Sequence, residues 1–101
     1  MILGKVVGHV VSTHKDEGLG GFKLLLVQQV GLDMEPKAPF VVACDAVGAG
    51  EGEVVIVVQG SSARIAAATR DRPVDATVIA IVDHVDVGGE RVWSKFAAAG
   101  V

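Results

Sequence analysis

The feature that most limits what this chain can fold into is a set of short, wholly apolar runs: Leu24-Leu25-Leu26-Val27, Val54-Val55-Ile56-Val57-Val58 and Val78-Ile79-Ala80-Ile81-Val82. Each is of strand rather than helix length, and valine and isoleucine favour a pleated backbone. Successive side chains of a strand point to opposite faces, so each run offers apolar side chains on both. A small barrel needs only its inward face apolar. Helices cover the other face in α/β proteins, but this sequence offers one short helix at most. A partner subunit is the remaining cover, which predicts a homo-oligomer associating through strand faces at Leu25, Val27, Val55, Val57, Ile79 and Ile81.

Taken in order, Ile2 to Thr13 reads as a first strand interrupted by Gly4 and Gly8, where a strand bends or admits a neighbour. A polar loop runs from Thr13 to Gly21, and Phe22 to Val30 is the second strand. Gly31 to Pro39 turns the chain, its prolines denying ladder donors, before a short third strand from Phe40 to Cys44. Glu53 to Gln59 is the fourth strand. Ser61 or Ser62 then caps a short helix over Ala63 to Ala68, with alanine supplying the propensity. Asp71 to Asp75 breaks that helix, Ala76 to Asp86 is the fifth strand, and Gly88-Gly89 suggests a hairpin to Arg91-Val92-Trp93. Residues 97–101 read as a loose tail. The fold class is therefore all-β: five or six strands and one short helix between strands four and five, arranged as a small barrel or sandwich, with a C-terminal hairpin. A chain of 101 residues fits one domain, here a core of about 1–86 and an extension of 87–101.

The most distinctive stretch is Asp45-Ala46-Val47-Gly48-Ala49-Gly50-Glu51-Gly52-Glu53, the strand after it, and Gly60-Ser61-Ser62-Ala63-Arg64. Alternating Gly48, Gly50 and Gly52 invite a phosphate-cradle reading. Such cradles follow a strand and open a helix, whereas these glycines open a strand, and no Gly-Lys-Ser/Thr triplet is present. A structural turn is the better reading, with Gly60, Ser61, Ser62 and Arg64 as a second turn near a possible subunit interface.

Chemistry is sparse. His9, His14 and His84 form no recognisable set, although His84 and Asp86 share one face of a strand and could be read as a small catalytic dyad. Ser61 and Ser62 lack the Gly-x-Ser-x-Gly elbow of a nucleophile. One cysteine, Cys44, and scattered histidines do not make a zinc site, and the thiol reads as a small core residue. No catalytic, cofactor-binding or metal site is expected. Arg64, Arg70 and Arg72 with Asp71 and Asp75 form a mixed-charge cluster suited either to a solvated surface or to contact with another subunit.

Nine basic against twelve acidic residues leave a charge of −3, which offers no attractive field to a phosphate backbone. The aromatics are only Phe22, Phe40, Trp93 and Phe96, too few for a base-stacking groove, so nucleic acid is excluded as a default partner. A barrel gripping a small ligand or a single strand remains the alternative function. The start from Met1 to Lys5 lacks the pattern of a signal peptide, and no apolar run approaches the ~20 residues of a membrane helix. A cytoplasmic protein without a membrane partner is expected.

Five separated blocks carry a family resemblance: Met1-Ile2-Leu3-Gly4-Lys5-Val6-Val7-Gly8, Lys23 to Gln28, Asp45 to Val55, Gly60 to Arg64 and Pro73 to Asp83. In order, they resemble the EutN/CcmL family of bacterial microcompartment vertex proteins. The resemblance implies a small five-stranded β-barrel related to the oligonucleotide-binding fold, and a non-enzymatic shell protein: a homopentamer at the five-fold vertices of a polyhedral shell, meeting hexameric and trimeric shell proteins at its edges. It also implies that Gly60 to Arg64 belongs to the ordered framework of the subunit, near the ring interface or the central opening. The loop Gly31 to Pro39 and the tail from Gly88 onward depart from the pattern, and Trp93 and Phe96 are expected to pack on the barrel, with binding to a neighbouring shell protein as the alternative.

Overall fold

The computed structural model describes residues 1–96; the expected tail at 97–101 lies outside the described residues. Five strands close a barrel: β1 (Ile2–Val10), β2 (Leu24–Val30), β3 (Pro36–Asp45), β4 (Val54–Gln59) and β5 (Ala76–Ile81), in the order β1-β2-β3-β5-β4. All neighbours are antiparallel except β3 and β5, which run parallel and meet only at Cys44–Thr77 and Asp45–Val78. A separate two-stranded hairpin follows, β6 (His84–Val87) and β7 (Glu90–Ser94). The chain leaves the barrel at Val82, whose N–H still donates to the Val54 carbonyl, so the single long fifth strand expected from Ala76 to Asp86 divides in two.

Alternation sorts the side chains. Val6, Leu25, Val27, Ala43, Val55, Val57, Ala76 and Val78 fill the interior with Ala49 from the turn before β4, and Ile2, Val41 and Ile81 close its ends. Gly4 lies between Gln29 of β2 and Val55 of β4. A β-carbon there would press on Cγ1 of Val27 and stand 2.9 Å from the Gln28 carbonyl oxygen, so the strands approach closely at this point. Register shifts in β1 between Val6 and Gly8 and between β4 and β5 at Ile56/Val57 supply the bends that closing so small a barrel requires.

A second apolar cluster sits outside the wall. Cys44, Val58, Ala63 and Val74 pack with Leu19, Phe22, Leu24 and Ile79. The chain between β4 and β5 supplies that cover, assisted by a 3-10 turn at Glu17–Leu19. Between β4 and β5 the structure corrects the sequence reading. Gly60–Arg64 is a 3-10 helix, not the start of an α-helix, and Gln59 rather than a serine occupies its N-terminal flank, with no side-chain cap. The reason is local competition. The Ala63 carbonyl accepts the hydroxyls of Thr69 (2.6 Å) and Thr77 (2.7 Å), so the acceptor an α-helix would need is already taken. The segment continues instead in i→i+3 turns, Ile65 to Ser62, Thr69 to Ala66 and Arg72 to Thr69.

β3 is longer than expected because Pro36 and Pro39 lie within it. They are tolerated because β3 pairs with β5 over two residues only, leaving the edge of its first half free of ladder partners. Gly4→Ala should destabilise the barrel by roughly 1–3 kcal/mol through overpacking. A urea midpoint that falls at constant slope would bear this out, and an unchanged midpoint would mean that β1 and β2 separate freely.

Candidate functional site

The glycine-rich turn is built from its own carboxylates. Asp45 Oδ1 accepts the N–H groups of Val47 and Gly48, each at 3.0 Å, and Glu53 Oε1 accepts that of Gly50 at 2.8 Å. The Gly52 N–H donates to the Val6 carbonyl (2.8 Å) and the Val6 N–H to that of Glu53 (2.9 Å), which fastens the turn to β1. Gly48 and Gly52 have φ of 78° and 87°, the left-handed region that glycine enters without strain. The amides that would cradle an anion thus already face two negative side chains. Glu53 Oε2 also receives Lys95 Nζ at 3.3 Å, tying the turn to the end of the hairpin. The Gly50 N–H above all holds the Glu53 carboxyl below its ordinary value of 4.5; burial opposes it, and Lys95 adds a further, smaller lowering effect.

Around the 3-10 turn, the Gly60 N–H donates to the Asp75 carbonyl at 2.8 Å, and Arg64 Nη1 to that of Val74 at 3.1 Å. Ser61 and Ser62 are exposed. Arg72 reaches the Gly18 carbonyl at 3.3 Å and lies 5.6 Å from the Phe22 ring centroid. Two of the three clustered arginines therefore tie the crossover to its own subunit.

The six strand residues expected to face a partner divide differently. Leu25, Val27, Val55 and Val57 are fully buried inside the barrel, and Ile81 packs against the same interior cluster. Ile79 joins the outer cluster beneath the crossover. The four interior residues cannot touch a second subunit, because strand alternation turns them to the axis and their neighbours outward. A charge at Val55 or Val57 would therefore strike folding, not association. The outward apolar residues that sequence reasoning missed are Val7, Phe40 and Val42, all exposed, with Leu26 half-buried beside them. Pairing of Leu26 with Val42, and of Gln28 with Phe40, puts them on one wall. The signal was the alternation of Phe40-Val41-Val42-Ala43, which lay within the expected third strand but was not read for its outward face.

Titratable groups gather into no catalytic set. His84 Nε2 is 3.8 Å from Asp86 Oδ2, but Arg91 Nε holds Asp86 Oδ1 at 3.0 Å, all on the exposed hairpin. That bond to Arg91 lowers the Asp86 carboxyl below its usual range. His9 Nδ1 meets Glu51 Oε1 at 3.1 Å in the open. Cys44 is buried, and burial first, then the charge of Asp75, pushes its thiol up and away from nucleophilic character. No cluster of three or more His, Cys, Asp or Glu able to hold a metal occurs among the described residues. No helix among them is long and apolar enough to cross a membrane. On the hairpin, Trp93 is half-buried with Lys5 Nζ 5.7 Å from its ring centroid, whereas Phe96 is exposed, contrary to the expected packing of both on the barrel.

With no reaction centre assembled, what distinguishes the molecule is its wall and its fold. Residues 1–83 match the family described as ethanolamine utilisation protein EutN/carboxysome. The chain belongs to the EutN/CcmL family. It is 46% identical over 95 residues to the carboxysome shell vertex protein CcmL of Synechocystis sp., covering 94% of this chain and 95% of that protein. It is 49% identical over 86 residues to the microcompartment shell vertex protein GrpN of Rhodospirillum rubrum, covering 85% and 97%. Among solved structures, CcmL of Gloeobacter violaceus superposes with a TM-score of 0.90 at 43% identity, covering 95% of this chain and 99% of that one. GrpN, described as a pentameric microcompartment shell protein, gives 0.76 at 48% identity over 86% and 98%. These EutN/CcmL relatives are shell proteins, not enzymes.

The Glu53 staple predicts a pH dependence. A carboxyl held below its unfolded value contributes stability that is present above 4.5 and is lost as pH falls through the lower folded value. The melting temperature of Glu53→Gln should therefore fall less steeply on acidification than that of the wild type. Equal acid slopes would show that the carboxylate does not hold the turn.

Proposed function

We propose that this chain is the subunit of a homopentameric vertex in a bacterial microcompartment shell, working by shape and edge contact rather than by turnover. The observation that carries this reading is family membership over residues 1–83, together with the fold shared at a TM-score of 0.76 with a relative described as pentameric. The physical logic is geometric. A flat hexagonal layer cannot close on itself, and five-fold units inserted at its corners supply the curvature. The neighbours at those corners are hexameric and trimeric shell proteins, which the pentamer meets along its rim. The turn from Asp45 to Glu53 and the segment from Gly60 to Arg64 serve as framework, holding the barrel wall in one shape.

Native mass spectrometry tests the assembly state directly. The expected species has five times the mass of the 10.4 kDa chain. Co-expression with a hexameric shell protein should then give closed particles where the hexamer alone gives sheets or tubes. A monomeric chain, or a pentamer that leaves hexamer sheets unclosed, would overturn the reading.

A further inference from the structure

The β6–β7 hairpin stands apart from the barrel sheet. Its strands pair only with each other, and the Lys95 N–H, donating to the Asp83 carbonyl at 2.9 Å, closes its base. Val82 and Asp83 join it to β5 outside any strand, and the last backbone tie to the barrel is the Val82 N–H on the Val54 carbonyl. Two side-chain contacts bring the hairpin back onto the wall. Lys95 Nζ lies 3.3 Å from Glu53 Oε2, both side chains partly exposed, and Lys5 Nζ lies 5.7 Å from the Trp93 ring centroid. Lys5 pairs with Val54, and strand alternation turns both outward, opposite to Val6 and Val55 in the interior. Val54 is nonetheless only 1% exposed, so the hairpin lies over it. Docking also has a cost. Trp93 Nε1 is buried with no hydrogen-bond partner among the described residues, a donor that water would satisfy if the hairpin lifted.

We propose that the hairpin is an arm hinged at Val82-Asp83 and latched by Glu53, which holds Lys95 through Oε2 and the glycine turn through Oε1. The contacts lie within one chain, so the inference stands apart from the pentamer reading. Burial of Val54 favours the docked arm and the unpaired indole N–H opposes it, which leaves the two positions closely balanced. A partly exposed ion pair is a modest interaction, yet it is enough to tip such a balance. Because one carboxylate serves both elements, losing its charge loosens the turn and frees the arm together. The surrounding groups fix the sign. The Gly50 N–H faces Glu53 from the turn and Lys95 from the arm, while Asp45 opposes its charge from the other end of the turn. Glu51 is occupied by His9, and Lys5 on β1 faces Trp93. Glu53 is therefore charged and latched at neutral pH, and the latch opens as pH falls through a value below the ordinary 4.5. Asp86 is also held low, but by its bond to Arg91 within the arm. Acid thus reaches two sites, and variants and salt at neutral pH separate them.

Trp93 is the only tryptophan and the chain has no tyrosine, so its emission reads the arm directly. The test compares fluorescence and acrylamide quenching of the wild type, Lys95→Met and Lys95→Arg at neutral pH, with circular dichroism melts and native mass spectrometry alongside. The expected result is a red-shifted Lys95→Met, quenched about twofold more readily than the wild type at unchanged fold and assembly state, with Lys95→Arg close to the wild type. High sodium chloride should move the wild type toward Lys95→Met and leave Lys95→Met where it is. Equal emission and quenching in the wild type and Lys95→Met overturn the latch. So does a change seen only where melting or the assembly state changes too, since Trp93 would then report folding or association. A Lys95→Arg as red-shifted as Lys95→Met also overturns it, because charge would not be what holds the arm. Should Lys95→Met fail to fold, the salt series on the wild type decides: a red shift supports the latch and an unmoved spectrum overturns it.

Discussion

One buried carbonyl holds the barrel and its cover together. The Ala63 oxygen accepts the hydroxyls of Thr69 and Thr77 at hydrogen-bonding distance, using both lone pairs. Thr77 stands in the two-residue contact by which β5 meets β3, the narrowest seam of the barrel. Thr69 lies in the crossover that seals the outer cluster. Both threonines are fully buried, so losing the acceptor would leave the Thr77 hydroxyl unpaired at about 1–3 kcal/mol, while Thr69 keeps the Ala66 carbonyl at 3.3 Å. Closure of the sheet and folding of the crossover are therefore coupled, because Thr77 in the short β3–β5 seam is bonded to Ala63 of the crossover.

That coupling explains where sequence reasoning succeeded and where it did not. The strands were legible because β-branched runs of strand length lay between turn signals, and so was the hairpin at Gly88-Gly89. Their inward faces were not. Runs such as Val54 to Val58 are apolar at every position, so alternation, the usual pointer to the core, carries no information there. The faces are set by register shifts at Val6/Gly8 and Ile56/Val57, of which the first is marked locally by Gly8 and the second is not. The expected helix after Ser62 failed for a related reason. Alanine propensity is worth tenths of a kcal/mol per residue, less than a buried hydrogen bond to a threonine many positions away.

The glycine turn was legible for what it is not. Three alternating glycines suggest exposed amides, but Asp45 opens the segment and Glu53 ends it, and each carboxylate folds back onto the amides of its own turn. Acidic residues at both ends of a glycine loop are poor company for a phosphate and good company for orphaned N–H groups. The link from Glu53 to Lys95 then joins turn and hairpin, so the local chemistry that fixes the loop also orients the element projecting from the barrel.

A closed barrel also limits how copies can associate. Most backbone hydrogen-bonding groups are paired around the ring of strands, and the free stretch of β3 carries proline, so joining through strand edges is disfavoured. Association must then use side chains on the wall. The wall is unevenly covered, sealed by the crossover on one side, shielded near the hairpin on another, and bare across β1, β2 and β3. A uniform wall would permit stacking in many orientations. Unlike pairing repeated at a fixed rotation closes a ring only where that rotation divides a full turn, and otherwise gives an open filament. The apolar interior contributes stiffness, since a densely filled five-stranded barrel has little room to shear. In the pentamer proposed for this chain, the shape of the fold then sets the rotation per subunit.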